Sequence, residues 1–197
     1  MSTPTCMIYG ETGKLPLSYY INIRIIGYWL KITNNPNTRI NHVLYNVMLS
    51  LFNSNKYQSP WLKYVHDLLF SNGLGYVWIE QKNNVNAVYV KGELKERLKL
   101  QYIQQWHFTI NNSPKCVLYK EIKEHFRLEP YLVKLPRELS RYIVKFRCVN
   151  HKFAIEKGRY SNIDRHLRYC DMCEAESLGD EYYLFFVCSN INIANLR

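Results

Sequence analysis

The residues best suited to chemistry in this chain are three cysteines near its C-terminal end. Cys170 and Cys173 form a C-x-x-C pair, and Cys188 follows after an acidic turn and the apolar run YYLFFV. Two thiolates on one tight turn can reach a single metal ion, with Zn–S bonds of about 2.3 Å. Structural zinc sites are tetrahedral, so this motif predicts a zinc knuckle that needs one more ligand.

The remaining ligand of this C-x2-C-x9-x-x4-C pattern is expected at position 183. Tyr183 stands there, and a tyrosine is a poor ligand for zinc. His166, just before the C-x-x-C pair, is the nearest substitute, and His151 is a more distant candidate. The sequence therefore predicts a zinc site that is weakened by the tyrosine at position 183. Its predicted ligands are Cys170, Cys173, Cys188 and His166.

Catalytic motifs are missing from the sequence. The segment YGETGK contains Gly10, Gly13 and Lys14, but its glycines are too close together for a phosphate-binding loop, and no Ser or Thr follows the lysine. The chain also has no serine elbow, no H-E-x-x-H and no close aspartate pair in an apolar strand. We therefore predict a turn at YGETGK, a protein that is not an enzyme, and no small-molecule substrate.

The other cysteines, Cys6, Cys116 and Cys148, are isolated in the sequence and are interpreted as inert apolar side chains. The N-terminal residues do not form a secretory signal, so cysteines here indicate a reducing compartment. The most apolar stretch, LPLSYYINIRIIGYWLKI, is interrupted by Arg24 and is too short to span a bilayer. We expect an intracellular protein, cytoplasmic or nuclear and not secreted, without a membrane partner.

Positive charge is concentrated just ahead of the cysteine knuckle. The formal net charge is +10, which favours RNA or DNA as a partner. Between Lys134 and Arg168 basic residues far outnumber acidic ones, whereas Cys170–Cys188 contains acidic residues and no Lys or Arg. The predicted phosphate contacts therefore precede the knuckle. They are Lys134, Arg137, Arg141, Lys145, Arg147, Lys152, Lys157, Arg159, Arg165 and Arg168, with Tyr142, Phe146 and Tyr160 among them to stack on bases. The alternative is a solvated basic face over an aromatic core.

The elements that must position these residues are mostly helices. Apolar residues recur at helical spacing between punctuating Pro and Asn clusters, and Ser113-Pro114 is a good helix start. We predict a mainly α fold, an irregular multi-helix bundle with a small C-terminal cysteine knuckle. The segment NHKFAIEKGRY alternates like a short strand and turn, which admits a short β-hairpin before the knuckle. A weak boundary near NNSPK divides the chain into a helical region, residues 1–110, and a basic helical segment with the knuckle, residues 111–197.

The order of several segments resembles a known family. PTCMIYGETGKLPL, IRIIGYWLKI, SPWLKYV, KERLKLQYIQQW, YLVKLPRELSRYIVKFRCVNHKFAIEKGRY and CDMCEAESLGDEYYLFFVC occur in the order found downstream of the polymerase in non-LTR (LINE-type) retrotransposon polyproteins. The resemblance covers nearly the whole chain. Its most specific part runs from KFRCVNHKFAIEKGRY to the last cysteine, and it includes the zinc-binding segment of the reverse transcriptase.

This resemblance implies both a ligand set and a missing enzyme. Such elements show D-E-x-H-x4-C at the end of the segment, so the histidine slot is occupied here by Tyr183. The polymerase and the endonuclease would lie upstream of Met1. We therefore expect a non-catalytic C-terminal fragment that associates with RNA or DNA through a basic helical face. The alternatives are a structural or protein-interaction module without nucleic-acid binding, or an unselected remnant of an element.

Overall fold

The structure is a computed structural model that describes residues 3–34, 40–80 and 85–195. These residues are mainly helical, which confirms the predicted fold class. Within the described ranges no strand forms, and only the isolated bridges Thr12–Leu128 and Tyr169–Leu178 join extended backbone. None of the described helices has both the length and the apolarity needed to cross a membrane.

The helices follow one another with short connections. In chain order they are α1 Thr5–Thr12, α2 Leu17–Thr33, α3 Ile40–Asn53, α4 Pro60–Ser71, α5 Gly75–Ile79, α6 Ala87–Asn112, α7 Val117–Ile122, α8 Tyr131–Lys134, α9 Arg137–Arg147, α10 Ala154–Tyr160 and α11 Ile191–Ala194. A 3₁₀ helix, Arg165–Leu167, and a π-helix, Tyr183–Val187, lie between α10 and α11.

The chain divides into two compact units. The central unit is Lys14–Phe108, and the terminal unit combines Met1–Gly13 with Thr109–Arg197. The predicted boundary at residue 110 lies close to the end of the central unit, but a single boundary does not assign Met1–Gly13 to the same unit as the C-terminal residues. The reason is tertiary: α1 carries buried groups whose partners are far away in the sequence.

The central unit is built around one apolar core. Trp29 and Trp78 stack with ring centroids 5.9 Å apart, and the Trp29 indole N–H donates to the Tyr45 hydroxyl at 3.0 Å. Leu62 and Leu69 are fully buried on α4, which begins at Pro60 and ends at Ser71. Apolar residues at helical spacing on α2, α4 and α5 explain this core, since each helix buries one stripe.

The terminal unit holds α1 through a buried ionic network. Arg147 of α9 donates to Glu11 of α1, with Nη2 3.0 Å from Oε1, and lies 3.5 Å from Glu129. The Tyr131 hydroxyl also donates to Glu11, and Lys123 pairs with Glu129. Buried charges are tolerated only when they are paired and hydrogen-bonded, so these contacts fix where α1 lies.

Gly13 explains the YGETGK segment, where a turn was predicted. It ends α1 with φ of 61°, a left-handed conformation that favours glycine. A Cβ at this position would come within 2.4 Å of the Leu128 backbone nitrogen. Gly13 is therefore a helix end packed against backbone, whereas Tyr9–Thr12 belong to α1, so the predicted turn is limited to the end of the segment.

The segment before the knuckle differs from its predicted strand and β-hairpin. Residues 154–160 form α10, and this helix buries Ile155, Glu156 and Gly158 along one side. The alternation of polar and apolar residues covered only a few positions, and no described strand lies beside them to complete a ladder. The spacing of the buried residues fits a helix, and the Glu156–Arg159 ion pair spans one helical turn.

Candidate metal centre

Three thiols converge in the terminal unit. The Sγ atoms of Cys170, Cys173 and Cys188, the cysteine cluster, all lie within 4.8 Å of one another, close enough to hold a metal ion. The Cys170 and Cys188 sulfurs are 3.8 Å apart. Thiolates about 2.3 Å from a tetrahedral zinc are separated by about 3.8 Å, so this spacing fits one shared ion.

The C-x-x-C pair is placed by a tight loop. The Cys170 N–H donates to the Ser177 carbonyl at 2.9 Å, and Tyr169 bridges to Leu178 as an isolated antiparallel pair. These contacts fold the acidic segment back on itself. Both cysteine side chains therefore face the same side, toward Cys188.

Gly179 allows the close approach that this loop requires. Its N–H donates to the Arg168 carbonyl, and its carbonyl accepts from the Ile155 N–H. A Cβ here would lie 2.8 Å from the Cys170 Cα and 2.8 Å from the Ala154 Cβ. The glycine thus ties the knuckle to α10 with backbone against backbone.

The π-helix brings the last cysteine to the cluster. It spans Tyr183–Val187, is capped by the Asp180 side chain at the Tyr183 N–H, and closes with Cys188 N–H donating to the Tyr183 carbonyl at 2.8 Å. In an α-helix residues five apart point in different directions, whereas an i→i+5 turn stacks them on one side. Tyr183 and Cys188 therefore both reach the same site.

Tyr183 occupies the position where the fourth ligand was expected. Its hydroxyl lies 3.2 Å from the Cys173 sulfur. The hydrogen bond with Tyr183 lowers the pKa of the Cys173 thiol to about 7, and the same contact raises the pKa of Tyr183. The hydroxyl thus donates to a thiolate, which is the form of cysteine that binds metal.

Burial has the opposite effect on Cys170. Its thiol is screened from solvent, and this desolvation raises its pKa to about 11. Leu184, Phe153 and Ile193 pack over the cluster and exclude water from the Cys170–Cys188 side. Metal binding at this site must therefore displace a proton from Cys170, because only the thiolate is a ligand.

The two histidines considered as substitute ligands lie elsewhere. Among the described His, Cys, Asp and Glu residues, His166 is not part of the cluster that includes the cysteines, and it is exposed in the 3₁₀ helix. His151 is bound to Glu181, with Nε2 2.8 Å from Oε1, and stacks on Phe153. The structure thus corrects the predicted ligand His166: the 3₁₀ turn that carries it does not direct it toward the thiols.

The His151–Glu181 pair was missed from the sequence. The side chain of each is largely buried. Burial has the largest single effect and raises the pKa of Glu181, but the hydrogen bond from His151, a backbone hydrogen bond and the charges of His151 and Arg165 together lower the pKa. The pair ties the segment before α10 to the acidic loop. The only sequence signal for this ion pair was the dipeptide Asp180-Glu181. Asp180 caps the π-helix, and Glu181 binds the histidine.

Three of the predicted phosphate-binding residues are used internally. Arg147 belongs to the buried network with Glu11 and Glu129. Arg159 pairs with Glu156, and Arg168 donates to the carbonyls of Ile163 and Ile155. These contacts hold the guanidinium groups of Arg147, Arg159 and Arg168 against the terminal unit itself, so we do not include these three residues in the proposed interface. A fourth residue, Lys157, forms a surface ion pair with Asp171 at 2.5 Å.

The remaining basic residues include a continuous stripe on α9. Arg137, Arg141 and Lys145 stand four residues apart, so they share one helix face, and Lys134 precedes them on α8. Among the described residues, Arg137, Arg141 and Lys145 have no ion-pair partner. We call Arg137, Arg141 and Lys145 the basic stripe. Lys134, Lys152 and Arg165 are exposed elsewhere in the terminal unit.

The basic stripe borders a shallow groove. Leu132, Leu135 and Val144 line the groove together with the three basic residues and Ser140. Tyr142, on the same helix, is 67% exposed. Phe146 is half-buried against His151 and Phe185, and Tyr160 lies under the Arg159 guanidinium, with its centroid 4.4 Å from Cζ. Of the three aromatics named from the sequence, Tyr142 is therefore the most accessible to a base.

Comparisons with known proteins assign no relative: no protein-family model, no curated protein and no solved structure matches this chain.

Proposed function

We propose that the terminal unit is a non-catalytic nucleic-acid-binding module whose C-terminal end is stapled by zinc. Its basic stripe would bind the phosphates of RNA or DNA. The observation that carries the proposal is the stripe itself, which presents three cations on one helix face without an ion-pair partner among the described residues. This is the role expected for a C-terminal segment of a LINE-type reverse transcriptase polyprotein.

The groove beside the stripe supports a single strand as the ligand. Its cationic rim suits phosphates, and its Leu132, Leu135 and Val144 lining suits sugars and base faces. Tyr142 adds an exposed ring, and stacking of one base on an aromatic residue contributes roughly 1–3 kcal/mol. The acidic knuckle would repel phosphate, so it serves as the staple and not as the contact surface.

The test is binding of a labelled single-stranded RNA oligomer to the full chain, followed by fluorescence anisotropy at several salt concentrations. Reversal of the stripe to Arg137→Glu, Arg141→Glu and Lys145→Glu should lower the affinity at least tenfold. Each phosphate contact on a single strand adds about 0.7 to the log–log salt slope, so the slope should fall by roughly 2.

The matched control carries the same change of charge in the central unit. Lys63, Lys95 and Lys99 are exposed, and replacing all three with Glu lowers the net charge equally. This variant should bind RNA far better than the stripe variant. Equal losses in both would mean that net charge alone attracts RNA, and an intact affinity in a folded stripe variant would reject the proposed interface.

Zinc is proposed as the metal because three thiols at tetrahedral spacing are typical of structural zinc sites. Zinc would hold the acidic loop to the π-helix, and Tyr183 would occupy the fourth position with its hydroxyl. Metal analysis of protein purified without chelator should find one zinc per chain. Cys188→Ser should remove it, and His166→Ala should retain it. Tyr183→His should bind it more tightly, because imidazole is the better ligand.

A protein-interaction role is the second candidate, and one observation favours it. Tyr182 and Phe186 are each 68% exposed, with ring centroids 5.3 Å apart, and Val187 and Ile191 nearby in the sequence are also exposed. Large exposed apolar side chains in one region mark interaction sites. Unchanged RNA binding by a folded stripe variant would favour this role.

A further inference from the structure

A second pair of thiols meets at the N-terminal helix. Cys6 lies in the first turn of α1, and Cys116 lies immediately before α7, 110 residues later in the chain. Their sulfur atoms are 3.9 Å apart, and both residues are thiols in the structure. Both belong to the terminal unit. The sequence showed two isolated cysteines, so this proximity is a product of the fold alone.

The two cysteines are held close by their neighbours. The Tyr119 hydroxyl donates to the Met7 carbonyl at 3.2 Å, and both Tyr119 and Met7 are fully buried. At the other end of α1, the Glu129 N–H donates to the Glu11 carbonyl at 2.9 Å, beside the Arg147 ion pair. Contacts at both ends of α1 therefore fix its position against the residues around Cys116.

The separation is short enough for a covalent bond after a small movement. A disulfide needs sulfur atoms about 2.0 Å apart, so the two sulfurs must approach by about 2 Å. Rotation of a cysteine side chain about its first torsion moves its sulfur by this amount. Cys6 is only partly buried, so its side chain has room to turn, whereas Cys116 is fully enclosed.

The two thiols differ in reactivity in the way that disulfide formation requires. The hydrogen bond with Cys116 lowers the pKa of Cys6 to about 7, although partial burial opposes the shift. The same contact and burial raise the pKa of Cys116. Cys6 is therefore the more readily ionised of the two thiols near neutral pH, and it lies where a small oxidant can reach it.

We propose that Cys6 and Cys116 form a disulfide when the folded chain meets a peroxide, so that α1 becomes covalently joined to the start of α7. The Cys6 thiolate attacks one peroxide oxygen, the O–O bond breaks, and a sulfenic acid and hydroxide are formed. The Cys116 sulfur then attacks the Cys6 sulfur. The S–O bond breaks, and the Cys116 proton leaves with the oxygen as water. In total, two thiols and one hydrogen peroxide yield one disulfide and two waters.

The bond would close a loop that contains the whole central unit. Disulfides stabilise chiefly by restricting the unfolded chain, and the effect grows with the length of the loop. Oxidation would thus secure the N-terminal helix to the terminal unit without a new noncovalent contact. This site is independent of the cysteine cluster, which lies at the other end of the unit's sequence.

The test treats the full chain with stoichiometric hydrogen peroxide, blocks the remaining thiols with N-ethylmaleimide, and maps the peptides without reduction. We expect a linked pair containing Cys6 and Cys116, with the loss of two hydrogens. The oxidised chain should also migrate faster on a non-reducing gel, because the closed loop makes it more compact when denatured.

Variants separate this bond from other oxidation. Cys148→Ser should retain the linked peptide and the faster migration, and Cys6→Ser should lose both. Because Cys116 is buried, Cys116→Ala serves as the second variant, since it removes the sulfur without adding a polar group, and it should also lose the linked peptide and the faster migration. Peroxide that consumes thiols without producing the Cys6–Cys116 peptide would overturn the proposal. So would a linked peptide that appears only after the chain is unfolded in urea.

Discussion

The central and terminal units are stabilised by different kinds of contact. All four tryptophans lie in the central unit, and all six cysteines lie in the terminal unit. The largest cluster of buried apolar residues also belongs to the central unit. Among the described residues, the buried charged side chains Glu11, Lys123 and Glu156 all belong to the terminal unit. One unit is an apolar core, and the other relies on ionic and sulfur chemistry.

The difference teaches where this protein is sensitive to its surroundings. Burial of apolar area depends little on pH, metal or oxidant, so the central unit should respond mainly to changes in packing. A paired buried charge, a thiolate cluster and two adjacent thiols each respond to chemical conditions. The comparison is also measurable, because tryptophan fluorescence reports the central unit and thiol reactivity reports the terminal unit.

The largest expected effect comes from Arg147→Met in the terminal unit. It leaves the carboxylates of Glu11 and Glu129 without their shared cation, and breaking a buried ion pair costs roughly 3–5 kcal/mol. Reaction of the buried Cys148 thiol during urea unfolding should move to lower urea, while the tryptophan transition stays in place.

The control for this change is Arg137→Met, an exposed arginine on the same helix. Surface substitutions of this kind usually change the free energy of unfolding by about 0.5 kcal/mol or less. If Arg147→Met were no more destabilising than the control, the ionic network would not be what holds α1.

A somewhat smaller effect is expected from Leu69→Ala in the central unit. Leu69 is fully buried on α4, and removing such a side chain costs roughly 2–5 kcal/mol through lost burial and the cavity left behind. The tryptophan-monitored urea transition should shift, and Cys148 reactivity should not. Equal shifts of both signals by Leu69→Ala and by Arg147→Met would show that the two units unfold together, against the contrast drawn above.

The smallest expected change in unfolding free energy comes from Tyr45→Phe, which removes a polar contact inside the apolar core of the central unit. Burial raises the pKa of Tyr45 to about 12, although the hydrogen bond from Trp29 opposes the shift. A raised pKa in the folded state gives stability that is present below the ordinary tyrosine value, about 10, and is lost as pH rises toward 12. Tyr45→Phe leaves the Trp29 N–H without its acceptor, at a cost of about 1–3 kcal/mol.

The measurement is tryptophan fluorescence during urea unfolding at pH 8, 10 and 12. The difference between wild type and Tyr45→Phe should be largest at pH 8 and should shrink between pH 10 and 12. A difference in unfolding free energy that stays constant over this range would mean that burial does not raise the pKa of Tyr45.

The helices of the central unit were the most predictable part of the fold. Apolar residues at helical spacing predicted them, because this pattern depends on residues that are close together in the sequence. The strand predicted at α10 was wrong because its local pattern is ambiguous. A few alternating residues fit both a strand and a helix, and in the structure they form a helix whose Gly158 lies close to the Arg168 side chain.

The candidate metal site was predictable in its sulfur ligands and not in its histidine. The C-x-x-C spacing is local, so the sequence predicted that the Cys170 and Cys173 sulfurs could reach one metal ion, and in the structure they lie close together. The pattern also pointed to position 183, and the Tyr183 hydroxyl does lie beside the Cys173 sulfur. His166 was chosen for its closeness in sequence, which says nothing about the direction in which a 3₁₀ turn points its side chains.

The sequence by itself determined the mainly helical fold class, the location of the positive charge and the three-cysteine motif, because each depends on residues that are neighbours along the chain. Only the tertiary structure decided that Arg147 is buried with Glu11 and that Cys6 meets Cys116. These pairs are separated by more than a hundred residues. No local spacing encodes such a contact, since it exists only once burial has brought α1 against the C-terminal residues.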